Sequence, residues 1–347
     1  MVRAIITGTG SYIPKLKVEN KDFLDEEFFS ADGEKIQKSN EEIISKFQDI
    51  TCIKERRYVT DDLTTSDIAF EAAKEALEGV DKESLDYIIV AHNFGDVRAG
   101  SVRVDICPSI ASRVKHFLGI KNPYTVAYDI PFGCPGWLHG MIIADYYLRS
   151  GDAKKILVIG AETLSRVIDA HDIVRKYSVT LVEATAKDDG ILSHVTRSDT
   201  KDEVHFIWNG KTYGPHPGDE IYLKMHGHQI YKYALKVVPE VVKLSLDKAG
   251  LTLTDVKKVL IHQANEKMDR AILKNIFKLY GVTEFSEHIM PMTIAWLGNS
   301  SVATLPTMFD LMQKGKLDNH KLHSGDIALF ASVGAGMNVN SMVYKMP

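Results

Sequence analysis

Three side chains stand where covalent chemistry on a carbonyl could be done: Cys134, His262 and Asn299. Cys134 lies in Tyr128-Asp-Ile-Pro-Phe-Gly-Cys-Pro-Gly-Trp-Leu-His-Gly140. The stretch Thr125–Ile130 before it reads as a strand, and Gly136–Leu148 after it carries apolar residues at helical spacing. Pro135 suits a first helical position, where a missing N–H costs nothing. A cysteine at a buried helix start is expected to gain thiolate character from the free N–H groups and the dipole. The competing reading is a packed, inert thiol. His262 closes the apolar run Val256–Ile261, and Asn299 sits in the turn Gly298-Asn-Ser-Ser301. A strand-ending histidine is commonly structural, and an Asn after Gly is commonly turn chemistry. The neighbours must decide.

The elements that position these residues recur. Residues 2–9 predict a first buried strand, and Asn20 to Phe47 a charged helical stretch interrupted at Ala31–Gly33. Thr51–Val59 reads as a turn, and Ser66 as the cap of a helix over Asp67–Glu78. Asp86–Ala91 predicts a strand buried on both faces. His92–Pro108 is a loop, followed by a helix to Leu118, and Lys154–Gly160 is a further strand. A helix over Ile230–Ala249 precedes the strand that ends at His262. Ile289–Ala295 reads as extended, and a helix runs on to Met312 before the strand Ile327–Ser332. Ser-Gly-Asp precedes a strand at 150–152 and again at 324–326. His92 and His262 each close a strand, and the offsets of both pairs are about 170 residues. Four landmarks in one order indicate a duplicated α/β unit. Cys134 and the Asn299 turn are then equivalent points facing one pseudo-twofold axis, with His262 near them.

Bulk properties narrow the class. The 347 residues are 45% hydrophobic and 25% charged, with a formal net charge of −4, as in ordinary soluble proteins and unlike a general nucleic-acid binder. Three cysteines, Cys52, Cys107 and Cys134, make no disulfide framework, and zinc-type Cys/His spacing is absent. No signal-peptide layout opens the chain, and no apolar run reaches the roughly 20 residues a membrane span needs. A cytoplasmic location is expected.

The sequence resembles the β-ketoacyl-acyl-carrier-protein synthase III family of the thiolase superfamily over nearly its whole length. The resemblance is carried by Asp129-Ile-Pro-Phe-Gly-Cys134-Pro-Gly-Trp, His262-Gln-Ala-Asn265, Gly298-Asn299-Ser-Ser-Val-Ala-Thr-Leu-Pro306, Gly334-Ala-Gly336 and Thr51-Cys-Ile-Lys-Glu-Arg56. It implies a thiolase-like fold of two pseudo-symmetric α/β halves, residues 1–186 and 187–347, in five α-β-α-β-α layers. It also implies a homodimer joined across a continuous central sheet. The implied reaction is a decarboxylative Claisen condensation. Cys134 takes an acyl group from a thioester. The main-chain N–H groups of Cys134 and Ala335 hold the oxyanion. His262 Nε2 and the Asn299 amide stabilise the enolate left when a malonyl-acyl-carrier-protein thioester loses CO₂. Coenzyme A or phosphopantetheine thioesters are substrates, and no permanently bound cofactor or metal is implied.

Acyl carrier protein is acidic. Lys267, Arg270, Lys274 and Lys278 recur at helical spacing just after His262, and Lys267 resembles the family's carrier-docking arginine. Arg56 and Arg57 are weaker candidates for phosphate contact. The pattern departs from the family in three places. The Asp-Gly-Ala-Gly-Ala segment expected near Ser178 is missing. Either a buried element is shortened or the sequence lacks some residues, and the strand-like Val179–Glu183 favours the second. The Trp and Arg that sandwich adenine in housekeeping enzymes have no counterpart in Glu41–Ile50. The loop His92–Pro108 is longer and carries Arg98 and Arg103. These departures leave the acyl donor open. Specialised ketosynthases making resorcinol, quinolone or polyketide-type products remain an alternative to fatty-acid initiation. Cysteine hydrolases and non-catalytic partner subunits are more distant ones.

Overall fold

The computed structural model describes residues 2–30, 34–101, 103–167, 177–212 and 221–347. In chain order the strands are β1 (Arg3–Tyr12), β2 (Leu16–Glu19), β3 (Glu55–Tyr58), β4 (Tyr87–His92), β5 (Val126–Pro131), β6 (Lys155–Gly160), β7 (Tyr177–Thr185), β8 (Gly190–Ser198), β9 (Ile207–Lys211), β10 (Ile221–Met225), β11 (Val256–Ile261), β12 (Ile327–Gly334) and β13 (Asn338–Lys345). The α-helices are α1 (Asn40–Thr51), α2 (Thr65–Ala76), α3 (Ile110–Phe117), α4 (Gly136–Ser150), α5 (Gly227–Ala249), α6 (Glu266–Leu279), α7 (Ile294–Leu297) and α8 (Thr304–Gln313).

Two sheets carry the fold. The first has the order β1-β7-β6-β4-β5 and the second β8-β13-β12-β11. Reading inward from β1 or from β8, both begin with two antiparallel pairings and continue with a parallel one. The repeated Ser-Gly-Asp segments therefore lead into equivalent strands, β6 and β12, and the two histidines close equivalent strands, β4 and β11. Every residue of β12 is buried, as are five of the six in β4 and in β6. Such continuous apolar runs are what strands covered on both faces require.

The packing gives five layers. Helices α2 and α3 cover the outer face of the first sheet through Ile68, Ala72, Ile110 and Val114. Helices α4 and α8 lie between the sheets, where Trp137, Met141, Met308 and Phe309 meet Ile89, Val158, Leu260 and Phe330. Helices α5 and α6 cover the second sheet through Val238, Val242, Ile272 and Ile276. This is the α-β-α-β-α order expected.

Several local readings need correction. Thr51–Val59 is not a simple turn: α1 runs to Thr51, and β3 pairs antiparallel with β2. Helix α2 starts earlier than expected. Thr64 caps it in a reciprocal box with Asp67, while Ser66 is buried and donates from its main-chain N–H and its Oγ to Asp96, each at 2.7 Å. Among its described residues Asn20–Phe47 holds a short helical turn, Asn20–Phe23, and then α1 from Asn40, while the interruption expected at Ala31–Gly33 lies outside the described residues. The extended reading of Ile289–Ala295 gives way to α7 from Ile294. The 93–109 loop is closed by paired main-chain bonds between Asp96 and Asp105. The missing glycine segment was expected at a point bordering residues 168–176, which lie outside the described residues; β7 itself forms and pairs with β1 and β6.

Candidate active site

Strands β5, β4 and β6 are parallel neighbours, so their carboxyl ends open on one edge. Carboxyl ends of parallel strands are where α/β sheets place ligands. Cys134 follows β5, Asn93 follows β4, and Glu162 follows β6. The second sheet brings His262 after β11 and Ala335 after β12 to the same place. A cavity of about 320 Å³ is lined by Cys134, His262, Asn299, Gly334 and Ala335, with Phe94, Leu164, Leu223 and Met268 among its apolar walls.

Each motif residue has a distinct job in building this edge. Gln263 is fully buried; its Oε1 accepts from Thr293 N–H and Ile294 N–H at 2.9 and 3.1 Å, and its Nε2 donates to the Pro291 carbonyl at 2.8 Å. It ties the end of β11 to the segment leading to Asn299. Asn265 caps α6 by accepting from Met268 N–H at 3.1 Å. Asn299 Oδ1 accepts the Ser301 N–H at 2.9 Å, which leaves its Nδ2 hydrogens available to a ligand. His262 Nδ1 lies 3.2 Å from Thr304 Oγ1.

Close backbone approach brings the two sheets together here. A Cβ on Gly334 would lie 2.7 Å from Cys134 N and 3.0 Å from Cys134 Cβ, so only glycine lets the end of β12 abut the cysteine. Gly133 packs likewise against the main chain of Ala335, whose N would lie 3.0 Å from an added Cβ.

The electrostatics correct the thiolate expectation. Cys134 precedes α4 with Pro135 at the cap, yet burial pushes its thiol up to about 11. The hydrogen bond from Ser301 Oγ, at 3.3 Å from Sγ, pulls the other way without compensating. Burial also drives His262 down to about 4, against a smaller opposing contact with the Ser301 main chain. Burial thus favours the neutral form of both groups near pH 7.

The cationic candidates divide. Lys267, Lys274 and Lys278 are exposed on α6. Arg270 is committed to Glu266, at 2.8 and 2.9 Å, and to Glu287. Arg56 is fully buried, which removes it as a phosphate contact. Its Nη1 donates to Asn20 Oδ1 at 2.8 Å, and its guanidinium lies 5.0 Å from the Phe23 ring and 5.6 Å from that of Phe47. Its Cβ backs the Gly298 turn, 3.1 Å from where a Cβ on that glycine would be. Arg57 is partly exposed and paired with Glu55 at 2.9 Å.

Sequence reasoning passed over Asn93, Glu162, Ser301 and Thr304, and also the β9–β10 hairpin. That hairpin walls the cavity with Ile207, Trp208, Leu223 and Met225. The hairpin left a readable signal in the alternation of Ile221-Tyr-Leu-Lys-Met225, and Ser301 and Thr304 stand inside the Gly298–Pro306 motif.

Comparison with known proteins agrees with this geometry. Residues 128–199 match 3-oxoacyl-[acyl-carrier-protein] synthase III, and residues 246–346 match the C-terminal region of the same synthase. Beta-ketoacyl-[acyl-carrier-protein] synthase III 1 of Halalkalibacterium halodurans is 30% identical, with 99% of each chain covered. The crystal structure of 3-oxoacyl-[acyl-carrier-protein] synthase III from Aquifex aeolicus superposes with a TM-score of 0.79 at 26% identity, covering 99% of this chain and 100% of that one. A priming β-ketosynthase of the R1128 polyketide pathway shares the fold, with a TM-score of 0.79 at 24% identity over 99% of this chain and 96% of that one. An end-to-end alignment at this identity, with matches around both the cysteine and the histidine, means that the chain belongs to the 3-oxoacyl-[acyl-carrier-protein] synthase III family.

Proposed function

We propose that the protein condenses an acyl thioester with a malonyl-acyl-carrier-protein thioester, as in the initiation of fatty-acid synthesis. The observation that carries this reading is the convergence of Cys134, His262 and Asn299 on one cavity. In the first half-reaction Cys134 sulfur attacks the acyl carbonyl. The new C–S bond forms as the donor C–S bond breaks, the Cys134 proton passes to the departing donor sulfur, and the N–H groups of Cys134 and Ala335 hold the transient oxyanion. In the second, the malonyl C–C bond breaks and CO₂ departs. The electron pair is left as an enolate, held by Asn299 Nδ2 and His262 Nε2. This reading assigns the Thr304 hydroxyl, 3.2 Å from Nδ1, as the donor there and the ring proton to Nε2, facing that oxygen. The carbanion attacks acyl-Cys134, the new C–C bond forms as the Cys134 C–S bond breaks, and the departing thiolate takes a proton from solvent.

The substrates on this reading are coenzyme A or phosphopantetheine thioesters, with no resident cofactor. The exposed lysines of α6 support docking of an acidic acyl carrier protein. Strand β5 pairs only with β4 among the described strands, and its open edge supports a homodimer joined there. The repeated strand directions support two halves, residues 1–186 and 187–347. Among the described residues no helix is long and apolar enough to cross a membrane.

The test is the intact mass of the protein after incubation with a panel of acyl-CoA and acyl-carrier thioesters. Acyl mass on the wild type and none on Cys134→Ala is expected. His262→Ala and Asn299→Ala should keep the adduct and lose malonyl decarboxylation. No adduct from any donor would sink the reading.

A further inference from the structure

A buried polar chain beside Cys134 has no part in the condensation just described. Glu162 is fully buried, and its Oε2 accepts both the main-chain N–H of Asn93, at 2.7 Å, and Asn93 Nδ2–H, at 2.5 Å. Its Oε1 faces Thr163 N–H at 3.2 Å. The second hydrogen of Asn93 Nδ2 goes to Ser301 Oγ at 3.0 Å, and Ser301 Oγ donates to Cys134 Sγ at 3.3 Å.

The direction of this chain follows from donor chemistry. Both oxygens of Glu162 face main-chain N–H donors, Oε2 that of Asn93 and Oε1 that of Thr163, so Glu162 is the acceptor here and Asn93 turns its NH₂ toward it. One of those hydrogens is then left for Ser301. Ser301 receives it on a lone pair, and its single proton is free for the sulfur. Ser301 also gives its main-chain N–H to Asn299 Oδ1, and its main chain meets His262. It does so at φ 47°, a left-handed conformation that a non-glycine residue adopts only at a cost. One strained residue thus touches all three groups assigned to catalysis.

We propose that Glu162, Asn93 and Ser301 form a positioning relay that aims one hydroxyl proton at Cys134 Sγ, favouring the thiolate formed on the way to acylation. The inference rests on the nucleophile reading of Cys134. The titratable groups facing the relay are few. Glu162 is approached by His92 from β4 and by Cys134, while Cys134 is approached by Glu162 and, across the cavity, by His262. Ionised Glu162 by its charge alone raises the thiol, and the hydroxyl lowers it. The relay therefore separates two effects: the carboxylate orders Asn93 at a distance, and only the neutral hydroxyl meets the sulfur.

The experiment is the rate of Cys134 alkylation by iodoacetamide across pH, in the full-length enzyme, for Ser301→Ala, Ser301→Gly and Asn93→Ala. Alkylation needs no substrate, so its outcome stands apart from that of the acylation panel. Both Ser301 variants are expected to alkylate about three- to tenfold more slowly at each pH below the thiol midpoint, a rise of roughly half to one pH unit. Asn93→Ala should shift in the same direction by less. Glycine relieves the strain at position 301, so Ser301→Gly should melt higher than Ser301→Ala while matching its alkylation. If the alanine variant fails to fold, the glycine variant still reports. Wild-type alkylation in both Ser301 variants, or in glycine alone, overturns the relay, because a hydroxyl effect must be lost in each.

Discussion

The neutral resting state of Cys134 and His262 can be tested through its pH dependence. A thiol held at about 11 is ionised in only about one molecule in 10⁴ at pH 7, roughly 300-fold less than a free cysteine near 8.5. The alkylation rate of the free enzyme should then climb about tenfold per pH unit from pH 6 to pH 9 with no plateau. Subtracting the rate of Cys134→Ala removes the contribution of half-buried Cys52 and exposed Cys107. Stability should carry the same signature. The Cys134 pKa is raised on folding, so its contribution is complete below about pH 8.5 and fades as pH climbs toward 11. The His262 pKa is lowered from 6.5 to about 4, so its contribution is complete above pH 6.5 and fades as pH falls toward 4. Each shift of about two units corresponds to roughly 3 kcal/mol. Chemical denaturation of wild type and His262→Gln side by side should give a stability difference that is constant above about pH 6.5 and shrinks as pH falls toward 4. A flat alkylation rate between pH 5 and 8 would mean a preformed thiolate–imidazolium pair, and would refute the argument that desolvation dominates.

Two further predictions separate binding from scaffolding. Arg56→Ala should cost roughly 3 kcal/mol and loosen the Gly298–Asn299 turn. Arg56→Met should stay near wild-type stability, because two of the guanidinium nitrogens are buried without partners and an apolar chain of similar volume loses little. Thermal melts check both, and a raised KM for acyl-CoA in the methionine variant at unchanged stability would restore a phosphate role. Lys267→Glu with Lys274→Glu should raise KM for the acyl-carrier substrate and flatten its rise with salt, leaving acyl-CoA kinetics in place. Equal effects on both substrates would remove α6 as the docking face.

What the chain disclosed of itself depended on how local each signal was. The strands β4, β6, β11 and β12 were legible because continuous apolar runs leave little choice of structure. The duplication was legible because Ser-Gly-Asp and the strand-ending histidines recur in order. Arg56 was misread because its burial is made by Phe23, Phe47 and Asn20, which precede it by up to 36 residues. Ser66 was misread as a cap because its partner Asp96 comes 30 residues later. The relay could not be read at all: its links span 69, 208 and 167 residues, and each member alone is an ordinary polar residue near the end of an element. The thiolate was overstated because a helix terminus is visible in sequence, whereas desolvation is a property of everything packed around the sulfur.

That desolvation also bears on the choice between condensation and hydrolysis, which Cys, His and Asn by themselves leave open. A hydrolase must activate water, and this requires a base that accepts a proton near neutral pH. His262, held at about 4, is a poor acceptor there, and Asn299 has its carbonyl oxygen occupied by Ser301 N–H. Glu162, pushed up to about 7 by burial, has the right affinity but is not among the residues lining the cavity, and Asn93 occupies its Oε2. On the proposed reading the groups turned toward substrate are thus donors. Donors stabilise an enolate without quenching it, and an apolar wall of Phe94, Leu164, Leu223 and Met268 disfavours the water that would hydrolyse an acyl-cysteine. A site with these affinities holds a carbanion better than it makes hydroxide.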